Sequence, residues 1–135
     1  MTPFGARLRA LRDEKGESLS GLAAAVGVSA AYLSALEHGK RGRPSFHLVQ
    51  KIIGHLGIIW DEAEELVELA RLSHPRVTVD TSGLDPRATE LANRLARDIE
   101  GLEGDMLDEL LAILKKQRKK LPPLHESVAK KDRAH

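Results

Sequence analysis

The sequence predicts an all-α protein with a compact N-terminal helical domain and a C-terminal helical extension. Three observations support this fold class. Apolar residues recur at helical spacing in successive segments of the chain. Ser, Thr or Asp precedes these segments, and Gly or Pro stands near many of their ends. Aromatic residues make up only 3% of the 135 residues, so aliphatic side chains must fill the core.

The first predicted helix begins at Thr2-Pro3 and ends at Lys15-Gly16. Proline is favoured at the first helical position, and glycine is favoured just past the last one. The apolar face of this helix contains Phe4, Leu8 and Leu11, which are spaced i, i+4, i+7.

Two short helices joined by one tight turn are predicted between Ser18 and Glu37. The first has an apolar stripe that Gly27 interrupts, and Ser29 can cap the second, which is expected over residues 30–38. Helices that cross steeply need a small residue where their axes approach, and Ala23 suits that place. They also need a residue that tolerates positive φ in the turn, and Gly27 does. The predicted shared core consists of Val26, Val28, Leu33 and Leu36.

This stretch resembles the helix-turn-helix of the Xre or lambda-repressor-like family of regulators. The resemblance covers residues 4–58. It implies a compact five-helix domain that binds double-stranded DNA, usually as a dimer, with its second short helix as the recognition helix. The matching residues are Ser18, Leu22-Ala23, Gly27-Val28-Ser29, Tyr32-Leu33-Ser34, Leu36-Glu37, Gly39-Lys40, Arg43-Pro44-Ser45 and Leu56-Gly57.

The resemblance also assigns DNA-binding residues. In the family, an Arg near the end of the first helix pairs with the Glu that closes the recognition helix, and Arg12 and Glu37 match these positions. The pair would orient Arg12 next to a phosphate; the alternative is a plain surface ion pair worth under about 1 kcal/mol. The predicted set is Arg12, Ser18, Ser29, Ala30, Ala31, Ser34, Ala35, His38, Lys40, Arg41, Arg43 and Ser45.

The recognition helix carries few side chains that can identify a base. Family members often have Gln, Asn or Arg where this chain has Ala30, Ala31 and Ala35. Alanine cannot hydrogen-bond to a base edge, although it can contact a thymine methyl group. Direct readout is therefore expected to be limited, and Ser34 is the polar side chain in the middle of the helix.

The loop over residues 39–45 is the strongest candidate for backbone contacts to DNA. It contains three cations, Lys40, Arg41 and Arg43, together with two glycines and a proline. We expect these cations to contact phosphates or the minor groove. The alternative is a flexible charged loop.

Helices four and five complete the predicted domain. Helix four is expected over residues 46–56, with Gly57 as its C-terminal cap. A buried link, Ile58-Ile59-Trp60, leads to helix five over residues 62–72. Asp61 and Glu64 have the spacing of a capping box at the start of helix five.

The predicted domains are residues 1–73, which bind DNA; 74–84, a linker or strand; 85–120, a helical extension; and 121–135, a basic tail that looks disordered. Residues 76–81 alternate apolar and polar side chains, which fits either one strand or an extended connector. Asp85 and Asp105 are expected to cap two amphipathic helices that form a hairpin. Their apolar area exceeds what one hairpin can bury, so we expect a subunit interface, with packing onto helix five as the alternative.

Charge is distributed unevenly, although the formal net charge is only +1. Residues 1–58 carry eight Lys or Arg against four Asp or Glu, residues 59–114 carry five against fourteen, and residues 115–135 carry eight against two. Basic regions attract phosphate because binding releases condensed counterions. This pattern favours a DNA-binding head.

Other classes of function are poorly supported. The chain has no cysteine, its six histidines lack metal-binding spacing, and no Gly-rich phosphate loop or nucleophile–base pair is visible. No cofactor, no metal and no enzymatic activity are therefore expected. No apolar run approaches the length of a membrane span and no signal pattern is seen, which favours the cytoplasm.

The sequence therefore predicts a dimeric, sequence-specific DNA-binding regulator of transcription. The alternative is a protein-interaction module on a helix-turn-helix scaffold, such as an antitoxin or a co-activator bridge. The acidic middle and the surplus apolar surface of residues 86–114 would then contact a protein partner.

Overall fold

The computed structural model describes residues 1–118, and those residues contain seven α-helices, one 3-10 turn and no β-strand. The predicted all-α class is confirmed. The expected disorder of residues 121–135 lies outside the described residues. The helices are α1 (Pro3–Lys15), α2 (Leu19–Val26), α3 (Ala30–Glu37), α4 (Phe46–Leu56), α5 (Trp60–Arg71), α6 (Pro86–Asp98) and α7 (Gly104–Arg118), and the 3-10 turn is Ile99–Gly101.

The chain divides into two compact units, Met1–Thr78 and Val79–His135. The first unit contains α1 to α5, and the second contains α6 and α7. Residues 76–81 run between α5 and α6 without forming a strand. In the single chain the segment is a connector, since a lone strand has no partner for its backbone hydrogen bonds.

Side-chain caps set the starts of the first four helices. The hydroxyl oxygens of Thr2, Ser18, Ser29 and Ser45 each accept a hydrogen bond from the backbone N–H three residues later, at 2.9–3.1 Å. These bonds satisfy donors that the first turn of a helix leaves free. The predicted starts of α1, α2, α3 and α4 follow from these caps and are confirmed.

The core of the first unit consists of fifteen buried apolar side chains contributed by all five helices and by Ile58. The aliphatic residues predicted on the inner faces of α1, α2, α3 and α4 are among them. The recognition helix α3 packs against α1 at Gly5, where an added Cβ would lie 2.1 Å from the carbonyl oxygen of Glu37. Only glycine permits this approach, so the end of α3 is held directly against the first turns of α1.

The start of α5 differs from the prediction. The helix begins at Trp60, its N-cap residue Ile59 makes no side-chain cap, and Trp60 has a positive φ of 54°. The expected capping box is wrong, because Asp61 lies inside the first turn rather than before it. The predicted burial of the link holds for Ile58, but Ile59 and Trp60 are 65% and 80% exposed.

The second unit contains consecutive amphipathic helices with no buried side chain among its described residues. Asp85 caps α6 as predicted, since its carboxylate accepts from the N–H of Arg87 at 2.8 Å. Asp105 does not precede α7, because that helix already begins at Gly104. The two helices make at most slight contact with each other. The two helices of the predicted hairpin therefore do not pack against each other in this structure.

Candidate nucleic-acid interface

The α2–α3 pair forms a steep helix-turn-helix. The two axes bend by 109° at the turn, within the range of about 90–120° typical of this motif. Gly27 has φ 79°, and the N–H of Val28 donates to the carbonyl of Ala23 at 3.0 Å. Ala23, which was expected where the two axes approach, is buried. The left-handed glycine allows the chain to reverse within three residues, so α3 stands across α2.

The recognition helix has one buried face and one open face. Leu33, Leu36 and Glu37 point into the unit and are buried. Ala31 and His38 are exposed, and the other predicted contact residues of the helix, Ala30, Ser34 and Ala35, are partly exposed. Ala31, Ser34, Ala35 and His38 therefore share the open side of the helix, whereas Ala30 packs partly against the core.

His38 extends this open face by one polar group. Its Nδ1 lies 2.9 Å from the carbonyl oxygen of Ser34. Because a carbonyl oxygen only accepts, this bond places a hydrogen on Nδ1. In the neutral ring, Nε2 is then an acceptor that can meet a base amino group or a water molecule.

The three capping serines of the predicted set are exposed. Ser18, Ser29 and Ser45 use a hydroxyl lone pair for the cap. A hydroxyl that accepts in this way still has its own O–H to donate. Each serine can therefore cap its helix and donate to a phosphate oxygen, next to the positive end of the helix dipole.

Arg12 and Glu37 form a buried ion pair. The distance from Arg12 Nη2 to Glu37 Oε2 is 3.2 Å, and the two side chains are only 9% and 1% exposed. The alternative of a plain surface ion pair is therefore wrong. Thr2 adds two hydrogen bonds to the carbonyl of Glu37, from its N–H at 3.0 Å and its hydroxyl at 3.3 Å. These bonds anchor the end of the recognition helix to α1, and Arg12 presents little surface to a ligand.

The loop cations are exposed beside α3. Gly39 and Gly42 both have φ 76°, and between them the chain turns so that Lys40 and Arg41 face outward. The guanidinium carbon of Arg41 lies 5.5 Å from the ring centroid of Tyr32, which is within cation–π range. This contact joins the loop to the recognition helix. The sequence does not indicate it, because no periodic pattern links two residues nine positions apart.

Arg43 lies at the other end of the loop. Its Nη1 is 3.5 Å from the backbone carbonyl of Arg71, a long hydrogen bond. The following Pro44 is buried, and Ser45 then caps α4. Arg43 is thus held only weakly by the protein, and its guanidinium keeps most of its donors available.

A second contact that the sequence did not indicate joins Glu17 to His55. The Nε2 atom of His55 in α4 lies 3.1 Å from Oε1 of Glu17, which precedes the cap of α2. The two residues are 38 positions apart, so only the tertiary fold brings them together. This carboxylate adds a negative charge near the start of α2, which opposes the attraction of that helix terminus for phosphate.

In residues 1–118, no group of three His, Asp or Glu side chains is placed to hold a metal ion. No single helix in the described part of the chain has the length and apolar composition to cross a membrane; the bent α2–α3 pair meets these two criteria only when its helices are taken together.

Comparison with known proteins supports the sequence resemblance. Residues 3–66 match a family model described as a helix-turn-helix domain. The HTH-type transcriptional repressor RghR of Bacillus subtilis (strain 168) is 43% identical over 61 residues, which cover 45% of this chain and 45% of RghR. Rv0023, an uncharacterized HTH-type transcriptional regulator of Mycobacterium tuberculosis (strain ATCC 25618 / H37Rv), is 34% identical over 118 residues, covering 82% of this chain and 46% of Rv0023.

A solved structure, that of the SinR protein/SinI protein complex, contains a chain that is 28% identical to this one. The match covers 87% of this chain and 99% of the other, with a TM-score of 0.40. This chain spans less than half the length of RghR and Rv0023.

Proposed function

We propose that this chain, whose first unit belongs to the Xre-like helix-turn-helix family, is a DNA-binding regulator of transcription. The observation that carries the proposal is the placement of the open face of α3 beside three exposed cations in the following loop. A recognition face and a basic loop on one side of the unit fit a major groove and its flanking phosphates. The proposed place of action is the cytoplasm.

Phosphate contacts and DNA shape are proposed to supply most of the binding energy. Lys40, Arg41 and Arg43 would neutralise phosphates or enter the minor groove, and Ser18 and Ser45 would donate from capped helix ends. Base readout is limited to Ser34, His38 and the methyl groups of three alanines. Arg12 acts indirectly, since its buried pair with Glu37 holds α3 in place.

We further propose that the protein binds DNA as a homodimer through its second unit. Large apolar side chains of α6, the 3-10 turn and α7 remain 38–64% exposed, among them Leu91, Ile99, Met106, Leu107, Leu111, Ile113 and Leu114. A second copy would cover such surface. Two recognition helices could then meet half-sites about one DNA turn apart.

The salt dependence of DNA binding tests the proposed interface. The full chain is titrated with random-sequence duplex at several salt concentrations. Arg43→Ala is expected to weaken binding and to reduce the slope of log K against log [salt] by about 1, because one phosphate contact is lost. Arg94→Ala is the matched control, since Arg94 is an exposed arginine of the second unit that pairs with Glu90.

An unchanged slope for Arg43→Ala would overturn the assignment of that residue. No measurable binding at low salt would overturn the DNA-binding function itself. The second candidate function, a protein-interaction module, would then gain support from the exposed apolar residues of α6 and α7, which could equally be covered by a protein partner.

A further inference from the structure

A groove lies between α4 and α5, and none of the proposed DNA-contact residues lines it. Its volume is about 460 Å³. Ile53, Ala63 and Val67 form its apolar floor and pack against the core while remaining partly exposed. Glu64, Glu68 and Arg71 line it as well. A groove with an apolar floor and charged edges is the kind of surface that accepts an amphipathic helix.

Trp60 is the first residue of α5 and continues the sequence spacing of Ala63 and Val67 as i, i+3 and i+7. Its φ of 54° departs from helical geometry, and its side chain does not line the groove. Trp60 is 80% exposed, although a buried tryptophan would contribute more to stability than any other side chain of this stripe. A large exposed aromatic side chain is a typical anchor for a protein partner.

The charges of α5 are divided between two sides of the helix. Glu62 and Glu65 face α1, where each carboxylate lies 3.8 Å from the guanidinium of Arg7. Glu64 and Glu68 line the groove and form no ion pair within residues 1–118. Along α5 the groove is therefore lined by the carboxylate of Glu64, then by that of Glu68 one turn later, and then by the side chain of Arg71.

The apolar and charged residues of helix α7 complement those that line the α4–α5 groove. Leu107, Leu111 and Leu114 form an apolar stripe and are 38%, 49% and 58% exposed. The first turn carries Asp105, and the last turn is basic, with Lys115, Lys116 and Arg118. The fifteen residues of α7 span about 22 Å and the twelve of α5 about 18 Å, so the helix is long enough to fill the groove.

We propose that α7 of a second copy of this chain lies antiparallel to α5 in the α4–α5 groove. In that orientation Lys115 meets Glu64, and Asp108 meets Arg71. Glu64 and Arg71 are seven positions apart in α5, and Asp108 and Lys115 are seven positions apart in α7. Both ion pairs can therefore form in one register, with Leu111 and Val67 between them. Antiparallel helices also align opposite ends of their dipoles. The inference rests on the proposed homodimer and assigns its interface; it does not depend on DNA binding.

Charge reversal tests this register in the full chain. Glu64→Lys and Lys115→Glu are each expected to raise the dimer dissociation constant about five- to tenfold, since each places like charges opposite one another. The combined variant is expected to recover most of the wild-type affinity. Sedimentation equilibrium gives the constants, and circular dichroism checks that each variant keeps its helix content. Glu14→Lys makes the same charge change at an exposed site of α1 and serves as the control.

Cross-linking gives an independent test, because the chain contains no cysteine of its own. One chain carries Glu64→Cys and another carries Lys115→Cys, and the two are mixed and oxidised. A disulfide between the two chains, absent when Glu14→Cys replaces Glu64→Cys, would confirm the contact between copies.

A wild-type dimer that is insensitive to both charge reversals and gives no such disulfide would overturn the groove interface and leave the proposed dimer intact. A wild-type chain that stays monomeric at all concentrations would overturn both.

Discussion

The two units of this chain use amphipathic helices in opposite ways. In the first, five helices bury fifteen apolar side chains in a shared core. In the second, α6 is the most strongly amphipathic helix of the chain, yet neither it nor α7 has a buried residue. Amphipathic spacing therefore establishes that a helix has an apolar face, but it does not establish what covers that face. A helix gains stability from its stripe only when a partner is present.

Truncating one leucine in each unit should give the largest difference between the units in the free energy of unfolding. Leu36→Ala removes a fully buried side chain of the recognition helix and is expected to cost about 3–4 kcal/mol. Leu111→Ala removes a side chain that is 49% exposed, so it should cost well under about 1 kcal/mol at low protein concentration. Denaturant unfolding measures both. Equal losses at low concentration would show that α7 is already covered within a single chain.

Removing one charge from an ion pair should give the second-largest difference between the units in the free energy of unfolding. Glu37→Gln leaves Arg12 buried without its counter-charge and is expected to cost about 3 kcal/mol. The matched change Asp98→Asn affects an exposed pair with Arg97 and should leave the free energy of unfolding nearly unchanged. Unfolding of both variants at pH 7 checks this. A small effect of Glu37→Gln would mean that water reaches the Arg12 pair.

Replacing each of two helical glycines by alanine should change the stability of the fold in opposite directions. Gly5→Ala places a Cβ against the backbone of Glu37 and is expected to destabilise the fold by about 1–3 kcal/mol. Gly54→Ala in α4 meets nothing within 4 Å and should stabilise the fold by about 0.5–1 kcal/mol, because alanine restricts the unfolded chain and favours helix. Thermal unfolding distinguishes the signs. Tolerance of Gly5→Ala would show that α1 and α3 can separate.

The smallest effect concerns the cap of α6. The side-chain and backbone hydrogen bonds from Arg87 hold the pKa of Asp85 below its ordinary value. A lowered pKa means that the charged cap favours the helix above the ordinary pKa, and that this contribution is lost as the pH falls through the lowered value. Arg87→Ala should therefore move the carboxyl titration midpoint of Asp85 upward. An NMR titration measures it, with Asp98 as the control that should not move.

The local features of the first unit followed closely from the sequence. Ser18, Ser29 and Ser45 cap the predicted helices, and Gly27 forms the turn. Caps and turns depend on residues within four positions of one another, so a sequence motif can encode them. The start of α5 was misplaced because Asp61 and Glu64 have cap spacing, whereas Trp60 adopts a positive φ that its residue type disfavours.

The sequence by itself determined the helices, the caps of α1 to α4 and α6, the helix-turn-helix and the set of candidate DNA-binding residues. Only the tertiary structure decided that Arg12 is buried against Glu37, that Arg41 stacks on Tyr32 and that His55 meets Glu17. Those contacts join residues 9–38 positions apart. Their distances depend on how whole helices pack, because close packing of the core, rather than any local preference, sets which distant side chains meet.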